Sequence, residues 1–177
     1  AAMIGLISAL GCGLLVHLYG LVNAIHNYDD ILQQPKGYGA GVTLGRWFLN
    51  VLGDFCEKYL NLGYNLPLVN GMALLVFVAL SAALVIWLLK IRNPVSAGLA
   101  GCLMVTFPTF CSTMLFRFTA GYYGLCLLLS VMAAWAIEKP KYGIFLSALF
   151  TALSLGIYQA YTPVTIGLMV LMLLRQS

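Results

Sequence analysis

Two adjacent carboxylates, Asp29 and Asp30, lie in the segment NYDDILQQPKGYGAGVTLGRW at residues 27–47, between two long apolar stretches. An ionised side chain at the edge of a hydrocarbon layer costs about 3 kcal/mol unless it is solvated or paired. A carboxylate placed there can act as a general base on a hydroxyl or as a metal ligand. The alternative is structural: one Asp caps a short helix from Ile31 to Gln34 and the other is solvated.

Three cations near these carboxylates or near helix ends are candidates for binding an anion. Arg46 and Arg117 each lie next to a predicted helix end, and a guanidinium binds phosphate through two parallel hydrogen bonds. Lys36 is a third candidate, on an open loop. The alternative for Arg117 is that its side chain extends to lipid headgroups.

Tyr158 and Gln159 end a predicted span beside a turn. A Gln in hydrocarbon needs hydrogen-bond partners, which another helix, a sugar or a phosphate would supply. His17 and His26 have no His or Cys partner at metal-ligand spacing. The chain contains no Walker loop and no GxGxxG, GxSxG or HExxH motif, so enzymes built on those soluble motifs are not expected.

The elements that must position these groups are membrane helices. Only 8% of the residues are charged and the mean hydropathy is +0.97, whereas about a quarter of the residues of a soluble protein are charged. The apolar runs reach the roughly 20 residues that cross a bilayer as helix, and Pro108 should kink one of them. We predict an all-α, polytopic transmembrane helical bundle with about six spans, at residues 3–25, 67–89, 95–116, 119–137, 142–158 and 163–174.

The charges predict which side each loop faces. With six spans, one side holds five basic residues and a single acid, and the other side, with the loop 26–66, holds four of each. The positive-inside rule makes the first side cytoplasmic, so the Asp pair faces outward. The nine basic residues form no tract, which argues against nucleic acid as a partner. The charged residues of the side predicted to be cytoplasmic are Lys90, Arg92, Glu138, Lys139, Lys141 and Arg175.

The outer loop also contains an amphipathic pattern. Apolar residues recur at spacings of three and four from position 44 to position 59, opposite a polar face that includes Arg46 and Asp54. We predict a helix that lies along the membrane interface, with Thr43 as its N-cap. The apolar face consists of Leu44, Trp47, Phe48, Val51, Leu52, Phe55 and Tyr59.

Three short motifs are shared with a known family. They are N-x-D-D at Asn27–Asp30, L-G-R-W at Leu44–Trp47 after a Gly-rich stretch, and S-L-G-I-Y-Q-A-Y at Ser154–Tyr161. On these motifs the chain resembles the N-terminal part of the glucosyltransferase II family, the phage and O-antigen modification enzymes of the GT-C membrane glycosyltransferase superfamily. The resemblance covers essentially the whole chain.

The resemblance implies a glycosyltransferase that moves glucose from a polyprenyl-phosphate donor to a lipid-linked or cell-surface glycan, at the outer face of the bacterial inner membrane. It maps the acidic residue of the first outer loop onto Asp29 and Asp30, without deciding which is the base. It also assigns phosphate or sugar contact to Arg46, Tyr158 and Gln159. The implied reaction inverts the anomeric configuration and uses no cofactor, and a divalent metal is compatible with the residues but not required.

Two other classes stay open at this stage, namely a fragment of a transporter or channel and a non-catalytic membrane assembly subunit. The resemblance implies a chain more than twice this long, with further spans. We therefore expect residues 1–177 to be a transmembrane domain at the N-terminal end of a longer protein, and the activity of these residues alone is left open.

Overall fold

The computed structural model describes residues 1–23, 25, 27–33, 42–60 and 66–176. The regular structure in these residues is entirely helical, which confirms the prediction of an all-α chain. The helices are α1 (Ala2–Val22), α2 (Tyr28–Gln33), α3 (Trp47–Leu60), α4 (Pro67–Leu88), α5 (Pro94–Thr106), α6 (Pro108–Leu115), α7 (Arg117–Ala136), α8 (Gly143–Ile157) and α9 (Thr162–Gln176), with a 3₁₀ turn at Gln159–Tyr161.

The candidate membrane spans are fewer than predicted. Helices α1, α4 and α7 are long and apolar enough to cross a bilayer, and α5 with α6 makes a fourth candidate if their bend belongs to one span. Helices α8 and α9 have 15 residues each, or about 22 Å, which is shorter than the roughly 30 Å hydrocarbon core. Length and composition therefore give three to four candidate spans among the described residues, where the sequence predicted six.

The kink predicted at Pro108 is confirmed as a bend of 41° between α5 and α6. Proline has no backbone N–H, so the helical hydrogen bond to the carbonyl of Met104 is lost. His17 of α1 lies beside this bend, with its Nε2 atom 2.8 Å from the carbonyl oxygen of Val105. His17 therefore has the packing role of a satisfied polar side chain.

The core of the bundle is centred on α4, which packs against α1, α5 and α7. Leu74, Leu75 and Val78 of α4 are almost completely buried there. Helices α1 and α5 approach each other at two glycines, since a Cβ added at Gly101 would overlap the carbonyl oxygen of Gly5. Small residues at such crossings let backbones come close, which supplies the van der Waals contact that stabilises helix pairs in lipid.

A chain of small polar side chains ties α7 to α8 and α9. The hydroxyl oxygens of Ser130 and Ser154 are 2.8 Å apart, and Thr165 donates to the carbonyl oxygen of Ser130 at 3.0 Å. Cys126 of α7 also donates through its Sγ atom to the carbonyl oxygen of Ser154, at 3.2 Å. These bonds hold α8 in register with α7 and so determine where Tyr158 emerges at the end of α8.

The amphipathic helix of the first loop is present as α3, which begins at Trp47 rather than after Thr43. Thr43 lies in the preceding turn and is therefore not the N-cap of α3. Leu49, which was left out of the predicted apolar face, is buried because α3 docks on α8. The outward stripe is apolar as well and suits the predicted interfacial position; it consists of Trp47, Val51, Phe55 and Tyr59.

Charged residues at one end of the bundle contact each other. Arg175, near the end of α9, donates to the carbonyl oxygen of Leu88 at the end of α4, and its Nη2 atom is 3.4 Å from Oε1 of Glu138. Lys90 and Arg92 line the same surface depression as Glu138 and Arg175. These groups, predicted to share one side, therefore lie together, with Asp29 and Arg46 at a different cavity.

Candidate active site

The motif N-x-D-D forms a capping box at the start of α2. The side-chain oxygen of Asn27 accepts a hydrogen bond from the backbone N–H of Asp30 at 2.8 Å, and Oδ2 of Asp30 accepts from the backbone N–H of Asn27 at 3.3 Å. Each residue satisfies an amide that the first helical turn leaves unpaired. One carboxylate of the pair is therefore used in building the helix.

The two carboxylates have opposite environments. Asp30 is fully buried, and its Oδ1 atom accepts a hydrogen bond from the backbone N–H of Phe118 at 3.3 Å. Asp29 is exposed and lines a cavity of about 630 Å³. Only the first of the two Asp side chains is therefore in a position to meet a ligand in this cavity.

The cavity lies between α2, the turn before α3, α6, the start of α7 and the 3₁₀ turn. Its wall combines a carboxylate, a guanidinium, hydroxyl groups and aromatic rings, which is the mixture that a charged, hydroxyl-rich ligand requires. The described lining residues are Asp29, Leu44, Arg46, Leu49, Thr109, Ser112, Thr113, Phe116, Phe118, Thr119, Tyr123, Tyr158, Ala160, Tyr161 and Val164.

The motifs L-G-R-W and S-L-G-I-Y-Q-A-Y dock on each other beside this cavity. The Nε2 atom of Gln159 donates to the carbonyl oxygen of Leu44 at 3.0 Å. Gly45 has a φ of +76°, a conformation that side-chain-bearing residues rarely adopt. At Gly156 a Cβ would approach the ring of Trp47 to 2.7 Å. The two glycines thus permit the close contact that brings residue 46 to the cavity.

Arg46 lies over the ring of Tyr158, with its Cζ atom 4.6 Å from the ring centroid. One terminal nitrogen, Nη1, is 3.4 Å from the hydroxyl of Tyr123, and the buried Nε atom has no hydrogen-bond partner among the described residues. The one ion pair closer than 4.0 Å in the described part of the chain joins Arg175 and Glu138. Arg46 is therefore a cation in contact with aromatic rings and, in the part of the chain that the structure describes, without a carboxylate partner, which makes it a suitable site for an incoming anion.

Three tyrosines form the aromatic side of the cavity. Tyr123 and Tyr158 stack with their centroids 4.8 Å apart, and Tyr161 meets Tyr158 edge-on at 6.2 Å. Tyrosine side chains have only two χ angles and lose little conformational entropy on binding a ligand. They give the cavity a rigid wall next to Arg46.

A second, apolar groove of about 370 Å³ opens beside the first cavity. The two share wall residues Thr109, Thr113, Tyr161 and Val164. Groove residues Leu103 and Phe107, at the bend between α5 and α6, are 64% and 60% exposed on the outside of the bundle. The polar cavity therefore adjoins an apolar groove that reaches the outside of the bundle.

Comparison with known protein families decides the class. The family described as Glucosyl transferase GtrII matches residues 18–177, which is most of the chain. The chain belongs to this family. No curated protein and no solved structure matches it.

Membership in the GtrII family confirms the resemblance drawn from the three motifs and favours an enzyme over a transporter fragment or an assembly subunit. A glucosyltransferase family implies a sugar donor and an acceptor as substrates. The apolar helices place this GtrII domain among membrane proteins.

The structure brings together some of the predicted site residues of this GtrII domain and separates others. Asp29, Arg46 and Tyr158 line one cavity. Gln159 supports the turn that precedes Arg46 through its bond to Leu44. Asp30 and Arg117 are buried next to the cavity and are absent from its described lining. Lys36 lies outside the described residues, so its role stays a prediction.

Sequence reasoning missed Tyr123 and the hydroxyl groups of α6. Tyr122 and Tyr123 form a pair inside an otherwise apolar helix, and such a pair signals a polar lining. Thr109, Ser112 and Thr113 recur at the three and four spacing of one helical face immediately after Pro108, which is a second signal. In the described residues no group of three or more His, Cys, Asp and Glu side chains is arranged to hold a metal ion.

Proposed function

We propose that this GtrII domain transfers glucose from a polyprenyl-phosphate carrier to a hydroxyl of a lipid-linked or cell-surface glycan. The observation that supports this proposal most directly is that the carboxylate of Asp29 and the guanidinium of Arg46, which has no carboxylate partner among the described residues, line one cavity. A glucosyl transfer from a lipid phosphate needs a base for the acceptor and a cation for the leaving phosphate.

Asp29 is the general base in this proposal. Its carboxylate takes the proton from the acceptor hydroxyl as the oxygen attacks the anomeric carbon. The bond from that carbon to the phosphate oxygen breaks at the same time, and polyprenyl phosphate leaves. Attack from the face opposite the phosphate inverts the anomeric configuration.

Arg46 holds the phosphate. Its buried Nε atom has no hydrogen-bond partner among the described residues, so this N–H group is available to a phosphate oxygen, while Nη1 lies 3.4 Å from the Tyr123 hydroxyl. Phosphate is a stable anion once released, so a fixed positive charge assists its departure without proton donation. The ring of Tyr158 contacts the guanidinium, and Gln159 holds the turn that precedes Arg46.

The apolar groove supports a lipid-linked donor. A phosphate bound at Arg46 lies in a cavity that shares four wall residues with the groove. The isoprenoid chain of the same molecule would occupy the groove and reach the bilayer at the bend between α5 and α6. A water-soluble nucleotide sugar would leave this apolar surface unused.

The same proposal sets the orientation in the bacterial inner membrane. Helix α8 runs from the basic end to Tyr158 at the cavity, and α9 returns to Arg175 beside Leu88. This course suits six crossings in a GT-C-like bundle, with α8 and α9 as short spans. The positive-inside rule then places the cavity on the extracytoplasmic side.

The test of this function is the substitution Asp29→Asn in the intact protein. Loss of a general base lowers a rate by about 10² to 10⁴, so we expect glucose transfer from polyprenyl-phosphate glucose to fall at least 100-fold. The variant should insert in the membrane as wild type does. The measurement is transfer of labelled glucose in membranes that contain equal amounts of each protein.

The matched control is Asp54→Asn, because Asp54 is an exposed carboxylate of α3 outside the described cavity lining. This control should keep wild-type activity. Normal transfer by the Asp29→Asn protein would show that the base assignment is wrong.

A further inference from the structure

Helix α2 is too short to hold Asp29 in place by its own stability. It has six residues, whereas isolated helices need roughly 12 to 15 residues to be even marginally stable in water. Tyr28 and Ile31 are 74% and 62% exposed. Among the α2 side chains that the structure describes, those of residues 28–31, only Asp30 is buried. The position of α2 therefore depends on contacts made by Asp30.

Asp30 connects α2 to the N-terminus of α7. One carboxylate oxygen closes the capping box with Asn27, and the other accepts the backbone N–H of Phe118, the second residue of α7. Helix α7 has no side-chain cap of its own at Phe116. A carboxylate at this point satisfies an unpaired amide and interacts favourably with the helix dipole.

Arg117 extends the connection to α1. It is 2% exposed, and its Nη1 atom donates to the carbonyl oxygen of Gly20 in the last turn of α1. A Cβ at Gly20 would lie 3.1 Å from the Nη2 atom, so the glycine leaves just enough room for the guanidinium. Asp30 and Arg117 carry opposite charges and are both buried at this junction. Two buried charged groups thus join α1, α2 and α7 at one point.

We propose that Asp30 is a positioning residue, which orients α2 so that Asp29 faces the cavity, and that Arg117 anchors the N-terminus of α7 to which Asp30 binds. This inference rests on the proposed role of Asp29 as the base. Both oxygens of Asp30 accept backbone hydrogen bonds and the residue is fully buried, so it does not reach an acceptor hydroxyl.

The test compares graded substitutions at the two Asp positions in the intact protein. Asp30→Asn keeps one side-chain oxygen that accepts the Phe118 N–H, whereas Asp30→Leu keeps none. We expect kcat to fall about 3-fold to 10-fold in Asp30→Asn and at least 50-fold in Asp30→Leu. The KM for the lipid-linked donor should stay within 2-fold of wild type, because Arg46 and its tyrosines are unchanged.

Asp29 should show no such gradation. Asp29→Asn and Asp29→Leu both lack a base and should be equally inactive. Equal loss of kcat in Asp30→Asn and Asp30→Leu would identify Asp30 as a base itself, and normal kcat in Asp30→Leu would show that no positioning is needed. Activity in Asp29→Asn would instead overturn the proposed function, so the two failures are distinguishable.

A second variant covers the case in which Asp30→Leu does not fold, as judged by size-exclusion chromatography in detergent. Asn27→Ala removes the side-chain acceptor for the Asp30 N–H and leaves the bond between Asp30 and Phe118 in place. We expect a 2-fold to 5-fold lower kcat with an unchanged donor KM and a normal elution profile. Wild-type kcat in both Asn27→Ala and Asp30→Asn would contradict the positioning role.

Discussion

Residues of the same type have different environments in this GtrII domain. Asp29 is exposed in the cavity, whereas Asp30 is fully buried against backbone amides. Arg46 lines the cavity, whereas Arg117 is absent from the described lining and donates to the carbonyl oxygen of Gly20. The Nε atom of each is buried without a hydrogen-bond partner among the described residues. Charge and side-chain chemistry are identical within each pair, so the candidate roles differ only because of which neighbours the fold supplies.

The arrangement of Arg46 predicts that its shape matters as well as its charge. In Arg46→Lys the positive charge remains, but the contact of the guanidinium with the Tyr158 ring and the paired N–H groups are lost. We expect the KM for the polyprenyl-phosphate donor to rise at least 10-fold, measured from initial rates over a donor concentration series in proteoliposomes.

Lys58→Ala is the control for Arg46→Lys, since Lys58 is an exposed cation near the end of α3 and is not among the described cavity residues. Its donor KM should be that of wild type. An unchanged KM in Arg46→Lys would mean that the phosphate binds elsewhere.

At the level of helices, the site depends on how α3 docks on α8. Phe48 and Leu49 pack with Ile157 in a small apolar cluster, and the turn before α3 is held by Gln159. Gly156 lies directly beneath Trp47 and Phe48. Arg46 is the residue immediately before α3, so any change in the docking of α3 moves the guanidinium relative to Asp29.

Gly156→Ala should therefore damage the site without touching a polar group. The added Cβ would meet the Trp47 ring at 2.7 Å and Cβ of Phe48 at 2.8 Å. Overpacking of this kind costs about 1–3 kcal/mol. We expect a lower thermal unfolding midpoint, followed by tryptophan fluorescence, and reduced glucose transfer.

Gly167→Ala provides the matched control, because a Cβ at Gly167 of α9 meets no other described part of the chain within 4 Å beyond its own neighbours and helix backbone. It makes the same chemical change in a helix and should keep wild-type activity, with an unfolding midpoint equal to or above that of wild type because Ala favours the helix more than Gly does. If Gly156→Ala behaved like Gly167→Ala, close contact between α3 and α8 would not be required.

At the level of the whole molecule, the two ends of the bundle carry different charged groups. One end has a cluster of charged residues, namely Lys90, Arg92, Glu138 and Arg175. The cavity lined by Asp29 and Arg46 lies outside this cluster. The nearly charge-free helices between them allow the bundle to remain in the bilayer. Because cytoplasmic loops are enriched in Lys and Arg, the basic end predicts the orientation.

Cysteine labelling tests this orientation directly. Val42→Cys, in the exposed turn before α3, should react with a membrane-impermeant thiol reagent added to spheroplasts. Pro140→Cys, exposed in the turn before α8, should react only after the membrane is opened. Both are made in a background without the five native cysteines, and the reverse pattern would overturn the orientation.

Composition and local chemistry were enough to predict the class of this protein and much of its helical structure. The low charge content, the apolar runs and Pro108 predicted membrane helices and one kink, because these features act through hydropathy and local backbone geometry. The six predicted spans are not established, since α8 and α9 are too short for length alone to show a crossing.

The motifs themselves identified the family, because they are short local sequences that can be recognised without knowing the fold. The assignment of roles within them required long-range contacts. Asp30 meets Phe118 across 88 positions and Gln159 meets Leu44 across 115. Contacts of that separation depend on how α2, α3, α7 and α8 pack, and they are what separates Asp29 from Asp30 and brings Arg46 to the cavity.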